Sequence, residues 1–191
     1  MNVPAGGQKR LVVVGATGMV GGYALRYALD HPDVGRVTAI GRRKLSISHP
    51  KLDEVLHRDF ADCSALVETL SSQHAVVFCL GTYTGSVSDV DLRAITVDYT
   101  VEFAHVLRSS SPDAVVSFLS GNGADPTGRS RMAFARYKGE AEKALLAAGF
   151  PVFTYFGRRI STPCRLATSP MSATGSCARS TPCFGGYSPT R

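Results

Sequence analysis

The chain has 191 residues, 44% of them apolar and 19% charged, which suits one α/β domain with a real core and leaves little room for a second. It contains no uninterrupted apolar run of the ~18 residues needed to cross a membrane. The formal net charge of +6 gathers at the end, where Arg158, Arg159, Arg165, Arg179 and Arg191 stand without an acidic neighbour; scattered in this way, it argues against a nucleic-acid surface.

Leu11 to Val14 is a β-branched run ending in glycine, the pattern of a buried parallel strand. Met19 to Leu29 carries Val20, Ala24 and Ala28 at helical spacing, and Asp30-His31-Pro32 ends it. Arg36 to Ile40 reads as a second strand and Val55 to Arg58 as a third. Asp62 to Leu70 reads as a helix, and Ala75 to Leu80 is the most apolar strand, stopped by Gly81. Leu92, Ile95, Tyr99, Phe103 and Val106 mark a long amphipathic helix. Ala114 to Leu119 is a fifth strand, Arg131 to Ala148 a helix closed by Gly149, and Val152 to Phe156 a sixth strand. Alternating strands and helices predict a doubly wound parallel sheet, a Rossmann fold over residues 1–156, with strand order 3-2-1-4-5-6.

The first strand runs into Gly15-Ala16-Thr17-Gly18-Met19-Val20-Gly21, which opens the first helix. Gly15 permits a tight turn, Gly18 lets a pyrophosphate approach the backbone, and Gly21 lets the helix pack against the sheet. Free N–H groups at a positive helix end then receive the anion. Thr17, Met19 and Val20 complete this candidate cofactor loop; the alternative is a tight turn that binds nothing. The second strand ends in Gly41-Arg42-Arg43-Lys44, where an NAD site places an acidic side chain for the ribose hydroxyl. Arg42 and Arg43 instead suit a 2′-phosphate, so NADP(H) is favoured over NAD(H); the alternative is a solvated basic turn. Asp59 and Phe60 are placed to flank an adenine ring, and Leu80, Gly81 and Thr82 to meet cofactor ribose or simply to leave the strand.

The segments GATGMVGGYALRYAL, GRR after the second strand, LGT after the fourth, and GADP with KGEAE resemble atypical short-chain dehydrogenases over roughly residues 9–156. The group most similar contains the Tat-interacting oxidoreductase-like proteins, described as NAD(P)-binding or epimerase-like. This resemblance implies a serine and a Tyr-x-x-x-Lys pair in which the tyrosine transfers a proton and the lysine lowers its pKa and bonds the nicotinamide ribose. Ser120 and Lys138 match the serine and lysine positions, but Phe134 stands where the tyrosine belongs. Tyr137 is about 100° around the helix from Lys138. Three outcomes stay open: Tyr137 reaches the site through a distortion, another acid serves, or cofactor binds without turnover.

The five cysteines show no metal-ligand spacing, so no metal is expected; Cys63 and Cys79 read as small buried apolar residues. The absence of a long apolar segment ahead of the first strand argues against a secretory signal and for the cytoplasm.

From residue 157 the periodicity collapses into Ser, Thr, Pro, Gly, Arg and Cys, the composition of an irregular, disordered tail. The resembling family continues here with Arg-Pro and Tyr-Ile-Tyr-Pro. Permitted codons for Phe156 to Pro163, read from the third nucleotide, give Arg-Pro-Ala-Tyr-Ile-Tyr-Pro. The same shift carried to Arg191 stays similar to that family, so 157–191 reads as an out-of-frame tail that leaves the substrate-covering part of the fold missing. The expected function is an NADP(H)-binding oxidoreductase-like protein acting on a small carbonyl or alcohol. The alternatives are a non-catalytic NADP(H)-sensing module and an inactive truncated product. No nucleic-acid or membrane partner is expected.

Overall fold

The computed structural model describes residues 8–156 and 164–165. Six parallel strands, β1 (Lys9–Val14), β2 (Val34–Gly41), β3 (Leu52–Leu56), β4 (Ala75–Phe78), β5 (Val115–Leu119) and β6 (Val152–Phe156), lie in the order β3-β2-β1-β4-β5-β6. That is the order expected for a doubly wound sheet, because each crossover between parallel strands is right-handed. A short β7 (Cys164–Arg165) adds to β6 antiparallel, pairing Arg165 with Val152 and Cys164 with Phe153. The remainder of the anticipated 157–191 tail lies outside the described residues.

The central strand shows why the sheet forms. Val12, Val13 and Val14 are all fully buried, so β1 is covered on both faces. Val13 faces Leu25, Ala28 and Leu29 of α1 (Met19–Asp30). Val12 and Val14 face the larger core, which holds Phe103 and Leu107 of α4 (Tyr99–Ser110) and Ala141 and Leu145 of α5 (Ala133–Ala147). Phe118, Phe150 and Phe153 fill the centre of that core and are fully buried. His31, extended at ψ 129° before Pro32, ends α1. Gly149, at φ +73°, closes α5 in the left-handed region that glycine enters without penalty.

Several boundaries differ from the sequence reading for physical reasons. β3 begins at Leu52 rather than Val55, pairing Val37 with Leu52 through Gly41 with Leu56. As an edge strand it carries the polar Asp53, bonded to Arg36, and Glu54, bonded to the Leu45 amide, which weakened its apolar signature. The 62–70 helix is a 3-10 turn at Ser64–Leu66 followed by α2 (Val67–Leu70). The long amphipathic helix starts earlier, at α3 (Asp89–Arg93), and passes through a π-helical turn at Ala94–Asp98 before α4. The wide turn brings Thr96 and Val97 into the interior.

One face of the sheet is unevenly covered. On β4, β5 and β6 the residues alternating with the core, among them Val77, Ser117, Leu119 and Thr154, are only half-buried. Ser117 and Thr154 pair their hydroxyls across the strands at 2.9 Å. The chain leaves β1 toward one edge of the sheet and β4 toward the other. The gap opened at their carboxyl ends is the switch point where α/β folds take ligands.

Candidate functional site

The loop leaving β1 is shaped by backbone contacts. Gly15 adopts φ +81°, and a Cβ there would stand 2.9 Å from the Cys79 carbonyl oxygen at the end of β4. The Gly15 amide donates to Ile40 O at 3.1 Å, and its own carbonyl accepts from the Gly18 amide at 3.0 Å. At Gly21 a Cβ would overlap the Gly15 carbonyl and come within 3.2 Å of Ala16 Cα, so α1 sits directly on the turn. Gly18 is the N-cap of α1 with no side-chain bond to the first amides, and no acidic residue occupies the first turn. The positive end of the helix is therefore bare, which suits an anion.

Two cavities meet at Gly18 and Met19. The first, of about 580 Å³, lies between α1 and the loop after β2; Thr17, Arg26, Arg43 and Lys44 line it, and among the described residues no carboxylate does. Arg43 Nη2 is 3.4 Å from Thr17 Oγ1, over the glycine turn. Arg42 is exposed and lines neither cavity. The second cavity, of about 570 Å³, runs from Met19, Val20 and Gly21 past Leu80, Gly81 and Thr82 to Ser120, Phe134 and Lys138. Gly18 to Gly21 of the loop and the residues ending β4 are thus brought together with Ser120 and Lys138, whereas of these two cavities Thr17 lines only the first.

Three other sequence candidates stand elsewhere. Phe60 is fully buried in the core, with its ring edge-on to His57 at 5.0 Å, and lines neither cavity. Burial of a phenylalanine side chain is worth about 2–3 kcal/mol, which explains why the first aromatic beyond an edge strand turns inward. Asp59 is exposed and accepts from the Ala61 amide at 3.0 Å. Tyr137 donates to Asp89 Oδ2 at 2.8 Å and does not line the second cavity. Accepting that hydrogen bond, Asp89 pushes the Tyr137 phenol up.

The floor of the second cavity is unusually polar for a buried place. Lys138 is 5% exposed; its Nζ donates to Leu119 O at 2.7 Å and lies 4.6 Å from the centre of the Phe118 ring. Loss of water lowers the ammonium pKa to about 8, with the nearby Glu142 carboxylate acting in the opposite direction. Ser120 donates its hydroxyl proton to Glu142 Oε1, and both residues are buried. The Cys79 thiol, buried beside them, is pushed up to about 11, which leaves it protonated and inert at neutral pH. Cys63 is also fully buried.

Sequence reasoning missed Glu142, although its place four residues after Lys138 puts both on one helix face. It also missed Tyr83, 78% exposed and facing the second cavity directly after the Leu80-Gly81-Thr82 exit. The GADP and KGE segments meet at Gly139, where a Cβ would overlap the Asp125 carbonyl. The Asp125 carboxylate accepts from Thr127 N at 2.8 Å, Thr127 Oγ1 at 2.6 Å and Ser130 N at 2.7 Å. Those bonds hold it down at about 2 and fix the turn against α5.

Comparison with known proteins agrees with this geometry. The model of the NAD dependent epimerase/dehydratase family matches residues 11–141. The protein named FMP52, mitochondrial, of Saccharomyces cerevisiae is 29% identical over 141 residues, 73% of this chain and 60% of that protein. Its Aspergillus clavatus counterpart, also named mitochondrial, is 30% identical over 146 residues, 73% of this chain and 61% of that protein. The chain therefore spans about 60% of the length of these curated relatives. Among solved structures, the Bordetella bronchiseptica enzyme WbmG in complex with NAD has a TM-score of 0.64 at 17% identity, covering 81% of this chain and 54% of that one. Uronate dehydrogenase from Agrobacterium tumefaciens has a TM-score of 0.58 at 19% identity, covering 71% and 54%. These likenesses show the fold. The mitochondrial names correct the cytoplasmic expectation. That expectation rested on the lack of a long apolar segment, and mitochondrial targeting segments are amphipathic and arginine-rich, so they present none.

Proposed function

The chain belongs to the NAD dependent epimerase/dehydratase family, and from that premise we propose that it binds NADP(H) and moves a hydride between the nicotinamide and a small carbonyl or alcohol. The observation that carries this reading is the bare mouth of α1 at the junction of two cavities, one basic and one ending at a buried lysine. The cradle fits the cofactor: Gly18 leaves the helix mouth open, and a pyrophosphate there meets unshared amides. Arg43, Lys44 and Arg26 favour a 2′-phosphate in the first cavity, where a carboxylate would favour a free ribose hydroxyl. When bound, the cofactor supplies or accepts the hydride. Its nicotinamide end would lie in the second cavity, where Leu80, Gly81, Thr82, Phe134 and Lys138 would line it.

Titration of the chain with NADPH and NADH tests the reading, with fluorescence or calorimetry as the readout. NADPH is expected to bind more tightly, and Arg43→Ala to reduce the preference by about 10- to 100-fold, the worth of one charge-assisted hydrogen bond of about 1.5–3 kcal/mol. Equal losses for both cofactors would remove the 2′-phosphate assignment. The mitochondrial names of the relatives suggest the same setting for this chain. The narrower likeness to Tat-interacting oxidoreductase-like proteins belongs to this proposal as well.

A second reading, NADP(H) sensing without turnover, draws on Phe134 in the tyrosine position and on the Tyr137 hydroxyl being committed to Asp89. Separately, we propose that residues 157–191 are read out of frame from near the Phe156 codon. Translation of the neighbouring frame in the gene tests this, and an intact reading frame without a displaced base ends it.

A further inference from the structure

We propose that the hydroxyl donating a proton in the second cavity is that of Tyr83, on the crossover between β4 and α3, with Lys138 of α5 as its cationic partner. The proposal rests on the oxidoreductase reading above and replaces the absent Tyr-x-x-x-Lys pair with two groups from different elements.

The hydroxyls near the cavity can be sorted by what already holds them. Ser120 lines the cavity, but its proton goes to Glu142, so toward a ligand it offers lone pairs rather than a proton. Tyr137 is bonded to Asp89. Phe134 has no hydroxyl, and its ring tip presses on the backbone after β5: a Cβ on Gly121 would be 2.5 Å from Phe134 Cζ. Thr82 and Thr84 also line the cavity, but aliphatic hydroxyls are far weaker acids than a phenol, whose ordinary pKa is about 10. Among the described residues Tyr83 is the phenol that lines this cavity, and its ring is 78% exposed.

The fold also explains how Tyr83 comes to share a cavity with Lys138. The crossover starts at Cys79, whose amide donates to Val14 O at 2.9 Å, and ends at Ser88, whose Oγ accepts from the Asp91 amide at 3.1 Å to cap α3. Two side-chain links fasten α3 onto α5: Tyr137 to Asp89 at 2.8 Å and Arg93 to Glu140 at 2.8 Å. Between these fixed ends Gly85, at φ +87°, and the bond from Ser86 N to Tyr83 O at 3.1 Å fold the loop over the cavity. Tyr137 is then a positioning residue that keeps the Tyr83 loop against the helix of Lys138.

Reduction of a carbonyl requires a hydride on carbon, the part the reduced nicotinamide supplies, and a proton on oxygen. The proton leaves Tyr83 Oη for the substrate oxygen and the O–H bonding pair stays on the phenolate. The Lys138 ammonium offsets that charge until water returns a proton.

The test uses the full chain. Wild type is first titrated with NADPH; failure to bind sinks the oxidoreductase reading itself, before any substitution is made. Tyr83→Phe is expected to bind NADPH within about twofold of wild type and to lose about 10²- to 10⁴-fold in kcat on a panel of small aldehydes and ketones, the usual worth of a general acid. Independently of turnover, saturating NADP⁺ is expected to shield Tyr83 from nitration by tetranitromethane. Tyr27, 73% exposed on the outer side of α1, serves as the unshielded control in the same peptide map. Unchanged nitration of Tyr83, or wild-type kcat in Tyr83→Phe, overturns the proposal. A wild-type chain that binds NADPH and reduces nothing in the panel overturns it in favour of cofactor sensing.

Discussion

Replacing Gly21 by alanine separates a cradle built by close packing from one that merely contains glycines. The added methyl carbon would lie 2.8 Å from the Gly15 carbonyl carbon and 3.2 Å from Ala16 Cα. Ordinary carbon contacts are about 3.5–4.0 Å, so α1 must retreat from the turn by about 1 Å. The obstacle is backbone rather than a flexible side chain, and overpacking of this kind costs about 1–3 kcal/mol. In a chain of this size each kcal/mol moves Tm by about 2–4 °C, giving a fall of about 2–12 °C by thermal unfolding. The same retreat draws the amides away from the anion, so NADPH affinity is expected to fall at least tenfold, about 1.4 kcal/mol. Gly18→Ala is the internal comparison. Its Cβ meets only the Gly15 carbonyl oxygen, at 3.3 Å, and its φ of −82° and ψ of 166° suit alanine. It is expected to lose affinity, because a methyl group enters the helix mouth, while stability changes by less than about 1 kcal/mol. If Gly21→Ala keeps both Tm and affinity, or if the two variants lose Tm equally, the packing argument is refuted.

Lys138 gives the fold a pH signature. Its ammonium titrates near 8 when folded against an ordinary 10.5. Between those values the unfolded chain holds more protons, so stability rises with pH through that window and is lowest below 8. The effect is on the order of 3 kcal/mol. The Tm of wild type is therefore expected to gain on that of Lys138→Met between pH 8 and 10; parallel curves would contradict the burial argument. Asp125→Ala removes the acceptor of three bonds in the turn packed on Gly139 and is expected to open the Arg129 and Arg131 peptide bonds to trypsin. In wild type the same opening is expected only as pH falls from about 4 toward 2, where the carboxylate is protonated.

The glycine loop was legible because it is local. Strand, turn and helix follow one another without interruption, and each glycine is required by a neighbour within a few residues, apart from the contact of Gly15 with Cys79. The ends of β4 and β5 were equally plain at Leu80 and Ser120, whereas the interest of Lys138 came from the family resemblance. What those side chains do was not plain. The direction of Tyr137 depends on Asp89, 48 positions away, and that of Ser120 on Glu142, 22 positions away.

Sequence alone therefore determined the fold class, the strand order and the place of the glycine turn that opens the first helix, since periodicity, glycine spacing and crossover handedness act over short distances. Tertiary structure alone decided that Phe60 belongs to the core and that the Tyr137 hydroxyl is spent on a helix link. It also gave the second cavity its floor, the Ser120–Glu142 pair beside a buried Lys138 whose pKa is lowered to about 8. Those outcomes follow from which faces of α3, α5 and the sheet pack together, and a side chain's partner and hydration exist only once that packing has formed.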